Sequence, residues 1–424
     1  MQSDARSFLK RNLPPAVKNV FQRVRDAVAP PPIDDIVLAQ YRVQRDDNAT
    51  PRLSLVLPLL QKGSDFGGTA TGIDIFCRLF MVLAAARPMD LRILVTDVVA
   101  ETDTTIIIMR AAKAGLTITP DQIELVQDPR ATIAVRAQEI FMTYNWWVTL
   151  NFAELRDQQA ALFDTPAKPL VWLMQDYEPA FMPFSSAHML ARAAYDCCSP
   201  LWGVVNSSNL ARYIEAQGHE PARQFVFEPV IVEALRPYLD QVATSMRSRR
   251  VLVYGRPNVE RNCFPALVRG LKRWARDYPE FADWEVVSAG MPHDPVDLGG
   301  GRTLTSLGKL SLDEYAHLLL GCSVGVSLMA SPHPSYPPLE MAHFGLRTVT
   351  NTYSCKDLTA FHPNIISVRS IAETELSNAL AGACRRSAGS PEYFSNPAYV
   401  RTEPYPFMDE LADALGSLLQ SPSA

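Results

Sequence analysis

The chain has 424 residues and a mass of 47.0 kDa, with 47% hydrophobic and 20% charged residues, which suits two globular domains or one large α/β unit. Forty basic against 45 acidic residues leave a formal net charge of −5, a balance that speaks against a nucleic-acid partner. The longest apolar run, Leu79–Ala86, falls far short of a membrane span, and seven scattered cysteines without Cys-x-x-Cys read as reduced thiols of a cytoplasmic protein.

The first 30 residues lack the apolar segment of a secretory signal. In residues 1–32, Leu13, Val17, Val20, Phe21, Val24 and Val28 fall at helical spacing behind Pro14–Pro15. Arg6, Lys10, Arg11, Lys18, Arg23 and Arg25 accompany only Asp4 and Asp26 there. Such a basic amphipathic helix suits an anionic surface, so residues 1–28 are a candidate peripheral contact with the inner face of the membrane. A helix packed on its own domain, or a loosely attached tail, is the alternative.

Next come short β-rich runs separated mostly by amphipathic stretches or loops: Leu53–Leu57, Leu91–Val95, Ile123–Gln127, Glu139–Thr143, Leu170–Met174 and Leu201–Asn206. A polar stretch at Arg236–Arg250 interrupts them. The pattern restarts at Val251–Tyr254, Trp284–Ala289, Ser323–Leu328 and Leu346–Thr350, with helices at Phe264–Tyr278 and Leu312–Leu320. The economical reading is an α/β fold of two Rossmann-like domains, 33–235 and 236–390, joined near 232–249. Residues 391–424 begin Pro-rich and end in a helix at Phe407–Leu419, which predicts a strap laid over a surface.

Ligands of open α/β sheets sit outside the carboxyl ends of the strands. After Leu53–Leu57 come Gly63–Thr69, where Gly67 and Gly68 permit close backbone approach to an anion before a helix. This is neither a Walker loop nor a Gly-x-Gly-x-x-Gly fingerprint, which leaves a nicotinamide-dependent oxidoreductase without its signature. After Val251–Tyr254, Arg256 and Arg261 stand five residues apart at a helix entrance and suit a diphosphate. Bridging to Glu260 is their alternative. Lys309 is a further phosphate cation or a solvated helix-entry residue. Ser331–Gly345 holds four prolines, and Glu340 lies about one turn inside the helix that follows, among apolar neighbours. A carboxylate there needs hydrogen-bonding partners, which ribose hydroxyls or an arginine would supply. His333 and His343 have no nucleophile partner and read as structural. No His-Glu-x-x-His and no His/Cys cluster marks a metal site.

The Gly-Gly loop, Gly255–Arg256 with Arg261, and Pro338–Leu339–Glu340–x–Ala342–x–x–Gly345 together resemble glycosyltransferase family 4, of the GT-B fold. Within it, Ser331–Gly345 and Gln175–Pro179 are most similar to bacterial rhamnosyltransferases of rhamnan and surface-glycan assembly. The resemblance covers about residues 50–420 and implies two domains facing across a cleft, with the C-terminal helix crossing back to the first. It implies that Arg256 and Arg261 hold the diphosphate of a nucleotide sugar without a metal or other cofactor, and that Glu340 binds the ribose. Gly67 and Gly68 would face the sugar and phosphates, Ser335 and Tyr336 would line their pocket, and Leu307 would meet the base. Two positions depart from the family. Pro332 stands where a second glutamate is usual, and Gln175 where many members have a histidine for the sugar's C6 hydroxyl. The second change fits a 6-deoxy sugar.

The expected activity is therefore transfer of a sugar, L-rhamnose from dTDP-L-rhamnose, to a glycan or lipid-linked glycan acceptor, with the anomeric configuration retained. Arg256 and Lys309 would steady the leaving group, while Gln175, Asp176 and Tyr177 would meet the acceptor. Trp146 and Trp147 are candidates for stacking on sugar rings, with core packing as the alternative. A sugar-nucleotide epimerase would need flanking acid/base carboxylates that the sequence does not place. A non-catalytic scaffold of a glycan-assembly complex would tolerate loss of Glu340.

Overall fold

Apolar runs become buried parallel strands in both halves of the chain. The structure, a computed structural model, describes residues 38–60, 67–387 and 394–419. The basic helix expected in residues 1–28 and the loop at Gly63–Phe66 lie outside them. The first nine strands are β1 (Arg42–Arg45), β2 (Arg52–Leu57), β3 (Asp90–Val95), β4 (Ile123–Leu125), β5 (Thr132–Val135), β6 (Glu139–Thr143), β7 (Leu170–Met174), β8 (Leu201–Asn206) and β9 (Arg223–Phe227). Seven of them form a parallel sheet in the order β4-β3-β2-β6-β7-β8-β9. Every residue of β2, β6, β7 and β8 is buried, which is why these strands read as continuous apolar runs rather than alternating ones.

Helix Gly68–Ala86 is by length and composition apolar enough to cross a membrane. Its apolar face is instead consumed in the core, where Ile73, Phe76, Leu79 and Phe80 pack with the sheet and with Leu411 and Leu415 of helix Met408–Leu418. At the opposite, amino ends of the strands, buried Glu139 accepts from Arg52 and Arg92 at 2.7 Å each and from Ser54 Oγ at 2.5 Å. The Arg136 backbone N–H adds a fourth donor at 3.0 Å. A carboxylate so thoroughly bonded is a structural pin.

The second sheet contains β10 (Ser248–Gly255), β11 (Glu285–Gly290), β12 (Val296–Gly299), β13 (Arg302–Ser306), β14 (Cys322–Val326), β15 (Arg347–Asn351) and β16 (Ile365–Val368), in the order β12-β13-β11-β10-β14-β15-β16. All neighbours are parallel except β12 with β13, an antiparallel hairpin whose turn, Gly299–Gly301, has φ of 83°, 62° and 77°. Residues without a Cβ take that conformation without strain. β10 begins three residues earlier than the polar reading of Arg236–Arg250 anticipated. Arg250 pairs in register with Glu285 on β11 and binds its carboxylate at 2.5 Å, so its charge is answered on the sheet.

The connection between the sheets is ordered: 3₁₀ turns at Glu233–Gln241 place Leu235 and Val242 in the second core. The C-terminal strap first buries Tyr399 in that same core and then Tyr405, Phe407 and Leu411 in the first. Where connection and strap pass, they are bonded side by side. The Ile231 N–H donates to the Tyr399 carbonyl at 2.9 Å, Arg401 to the Glu228 carbonyl at 3.3 Å, and Arg236 to the carbonyls of Val400 and Arg401. All seven cysteines are free thiols.

Candidate functional site

The carboxyl ends of β2, β6, β7 and β8 and those of β10, β14 and β15 gather the chemistry-bearing residues from both domains. In the first domain, Gly67 takes φ 75° and starts helix Gly68–Ala86 with no side-chain cap, leaving its first backbone donors unclaimed by a cap. A Cβ on Gly68 would collide with the Tyr144 hydroxyl and approach Gln175 Cγ to 3.1 Å. Glycine is thus required there by close approach to the ends of β6 and β7. Gln175 accepts from Asn206 Nδ2 at 3.0 Å, and its own Nε2 is a buried donor without an acceptor among the described residues.

Beyond Gln175, Asp176 is buried. Its Oδ1 accepts from the Tyr177 N–H at 2.9 Å and from the Ser331 hydroxyl of the second domain at 2.5 Å. Burial raises its carboxyl above the ordinary range, although Ser331, Tyr177, Arg261 and Lys356 all favour the charged form. Two residues on, Glu178 is pushed up to about 8 by burial, its carboxylate accepting from the Trp146 N–H at 3.1 Å. Tyr177, expected to meet an acceptor sugar, packs instead against Tyr195 and Tyr213, with ring centroids 5.2 and 5.1 Å away. Its ring belongs to the core of the first domain, because strand β7 delivers Asp176 toward the second domain and turns the next side chain inward. Trp146 is likewise core, and Trp147 donates its indole N–H to Asp97 at 2.8 Å.

In the second domain, β10 and β11 end opposite one another at Gly255 and Gly290, and a Cβ on Gly290 would strike the Gly255 carbonyl. The chain then turns through Arg256 into the 3₁₀ segment Glu260–Asn262 and helix Phe264–Asp277. Neither Arg256 nor Arg261 forms an ion pair among the described residues, so the bridge to Glu260 is not made. Arg261 reaches the first domain, its guanidinium 4.5 Å from the ring centroid of Phe181, and its Nε is buried without an acceptor among the described residues. Its charge also acts on Tyr144, the residue that touches Gly68. Leu307 is 40% exposed, and its N–H donates to the Ser288 carbonyl at 2.8 Å. Lys309 is exposed.

The segment after β14 is a chain of local hydrogen bonds. The His333 N–H donates to Ser331 Oγ at 2.9 Å, and the Ser335 N–H to His333 Nδ1 at 3.0 Å. Ser335 takes φ 67°, and Pro337–Pro338 open helix Pro337–His343. Burial, then Lys356 and Arg261, push His333 down to about 3, so it is neutral and structural at physiological pH. His343 is held in the core by its bond to the Leu339 carbonyl.

Tyr336 is deeply set, with the Asn206 carboxamide of the first domain against its phenol. Glu340 is 6% exposed and pushed up to about 7 by burial, with the Tyr315 hydroxyl favouring the ionised form. No arginine pairs with it among the described residues, which removes the structural alternative for this carboxylate.

Four further side chains gather at these strand ends that carry no assigned role from sequence. Lys356 is fully buried, donates to the Met329 carbonyl at 2.8 Å, and is pulled down to about 8 by burial. Asn206, Tyr144 and Ser331 were each within reach of the strand-end rule, since they follow or close β8, β6 and β14. Lys356 carried no signal, lying in a polar stretch that reads as surface. Among the described residues no group of three His, Cys, Asp or Glu side chains is placed to hold a metal ion.

Comparison with known proteins adds lineage to this geometry. Residues 52–208 match the family described as WsaF, N-terminal domain, and residues 249–381 match WsaF, C-terminal domain, together about two thirds of the chain. The O-antigen biosynthesis protein RfbC of Myxococcus xanthus is 33% identical over 181 residues, 42% of this chain; the match spans 14% of that larger protein. Among solved structures, sucrose-phosphate synthase from Thermosynechococcus elongatus is 14% identical with a TM-score of 0.50, over 87% of this chain and 98% of that one. The α,α-trehalose 6-phosphate synthase of Burkholderia multivorans is 10% identical with a TM-score of 0.50, over 87% and 99%. These likenesses establish the two-sheet GT-B fold.

Proposed function

The chain belongs to the WsaF family, both of whose domains it carries in order, and on that premise we propose that it is a glycosyltransferase of glycan biosynthesis. It moves a sugar from a nucleoside-diphosphate donor to a glycan or lipid-linked glycan acceptor. The observation that carries this reading is the pair Arg256 and Arg261: two permanent cations beyond the carboxyl end of β10, with no carboxylate among the described residues bound to either. Beside them stands a Pro-rich segment ending on buried Glu340.

In this reading Arg256 and Arg261 grip the diphosphate, with Lys309 as a third cation, and Glu340 accepts hydrogen bonds from the ribose. Gly67–Gly68 and the unclaimed Gln175 Nε2 face the sugar. The C1–oxygen bond to the diphosphate breaks, and its electron pair leaves with the phosphate. The acceptor hydroxyl oxygen bonds to C1 on the face that the diphosphate vacates, and its proton passes to the departing phosphate oxygen. The cations act where charge develops, the arrangement most effective at lowering such a barrier. Retention of configuration and independence from metal belong to this proposal, as does dTDP-L-rhamnose as donor. Gln175 in place of a histidine supports a sugar without a C6 hydroxyl.

The test is calorimetric titration of the full chain with dTDP, UDP and GDP, without metal and then with EDTA, followed by transfer assays with the matching sugar nucleotide. Micromolar binding of one nucleotide that survives EDTA, followed by sugar transfer, is the expected result. Binding of none would sink the proposal and leave a non-catalytic scaffold.

A further inference from the structure

The second domain carries a basic hollow at the end of the sheet away from the cleft. Helix Phe264–Asp277 starts beside the cleft and runs about 18 Å to Arg276 at 1.5 Å per residue. Arg269, Lys272, Arg273 and Arg276 are spaced i, i+3, i+4 and i+7, so they share one face. With Arg302 and the Gly299–Gly300 turn they line a cavity of about 720 Å³ in which Glu373 is the single carboxylate among the described residues.

Helix-end cations are common because they answer the negative end of the helix dipole. That accounts for Arg273 and Arg276, which share Asp277 at 3.0 and 2.8 Å, and Arg269 meets Glu373 at 3.2 Å. It does not account for Lys272 or Arg302, neither of which has a carboxylate partner among the described residues.

Arg302 is the telling residue. It is 5% exposed and lies over Trp274, 4.7 Å from the ring centroid. Its Nη2 reaches the Ala275 and Tyr278 carbonyls at 3.0 and 3.4 Å, while Nε and Nη1 have no acceptor among the described residues. The carboxylates that act on it, Asp283 and Glu280, are bound to Arg249 and Arg385. A buried cation that no carboxylate among the described residues binds is costly, and an anion in the adjoining hollow would relieve that cost through its field.

We propose that this hollow binds a phosphate-bearing anion at a site separate from the donor cleft. The ligand carries two negative charges, one for each of Lys272 and Arg302, the two cations of the five that no carboxylate among the described residues answers. A phospholipid headgroup on an anionic membrane and a soluble diphosphate share this chemistry.

The experiment uses the full chain carrying Arg256→Ala and Arg261→Ala, so that binding in the cleft does not contribute. One arm titrates inorganic diphosphate calorimetrically. The other sediments the protein with vesicles of phosphatidylcholine alone or mixed equally with phosphatidylglycerol. Each arm is repeated with Lys272→Glu and Arg276→Glu added, and with Lys272→Gln alone as a milder change whose melting temperature reports folding. Loss of diphosphate binding by at least about tenfold supports a soluble ligand, and a similar loss of retention on anionic vesicles supports a lipid headgroup. Absence of binding in both arms, or binding that the substitutions leave unchanged, overturns the proposal.

Discussion

Ser331 and Asp176 meet across the two domains, the serine hydroxyl donating to Asp176 Oδ1 at 2.5 Å. The same hydroxyl accepts from the His333 N–H, so the segment that leads to Glu340 is tied to the end of β7. Ser331→Ala removes one of the two donors to a buried carboxylate, at a cost of about 1–3 kcal/mol. At roughly 2–4 °C per kcal/mol for a domain of this size, the melting temperature is expected to fall by several degrees. An unchanged melting curve would show that the bond contributes nothing to holding the domains together.

Arg256→Ala is expected to lower sugar transfer by two or more orders of magnitude, the size of effect seen when a preorganised charge is removed from a reacting centre. The circular dichroism spectrum stays unchanged, since Arg256 makes no ion pair in the described structure. Turnover near that of the parent would remove Arg256 from the diphosphate site.

Glu340, pushed up to about 7, is half ionised near neutral pH. If the carboxylate accepts from both ribose hydroxyls, nucleotide affinity rises as pH climbs through 7 and then levels off. Glu340→Gln is expected to weaken binding and flatten that profile. A titration series between pH 6 and 8 that is equally steep in both proteins would count against a ribose contact.

Gly68→Ala places a methyl group against the Tyr144 hydroxyl. Activity should drop sharply, and adding Tyr144→Phe, which deletes the obstructing oxygen, should restore part of it. Recovery in the double variant, measured as kcat/KM, would tie the defect to this one contact; absence of recovery would mean that the helix start itself had been displaced.

Glu178 has a folded value of about 8 against an unfolded value near 4.5, so the native state holds a proton that the unfolded chain releases. Stability from this group is fully present below pH 4.5 and is lost as pH rises toward 8, by roughly 1.4 kcal/mol per pKa unit before relaxation. Glu178→Gln removes the titrating proton, and its melting temperature should decline less over that interval than the parent's.

Legibility from sequence followed burial and failed where tertiary placement decides. Glu139–Thr143, Leu170–Met174 and Leu201–Asn206 are read to the residue because every position in them is buried and apolarity reports that directly. β1 and β5 are polar on at least one face, and β13 alternates Thr with larger residues, so none stands out from loop. The places of Arg256 after β10 and of Glu340 inside a short helix are legible because strand ends and helix starts are local features. Tyr177 was misplaced because neighbouring residues on an extended segment point opposite ways, and composition does not say which way is inward. Lys356 hides for a similar reason: its amine is buried by a carbonyl 27 positions away.

The linker at 228–236 and the strap at 399–401 cross between the domains together, bonded to one another by Ile231, Arg236 and Arg401. Two adjacent pins on one edge leave a door a single axis to swing about. Any swing about that axis has to break the bond between Asp176 and Ser331, which joins the two domains. Severing the strap between Val400 and Tyr405 would leave one pin, and the domains would then meet in many alignments instead of one.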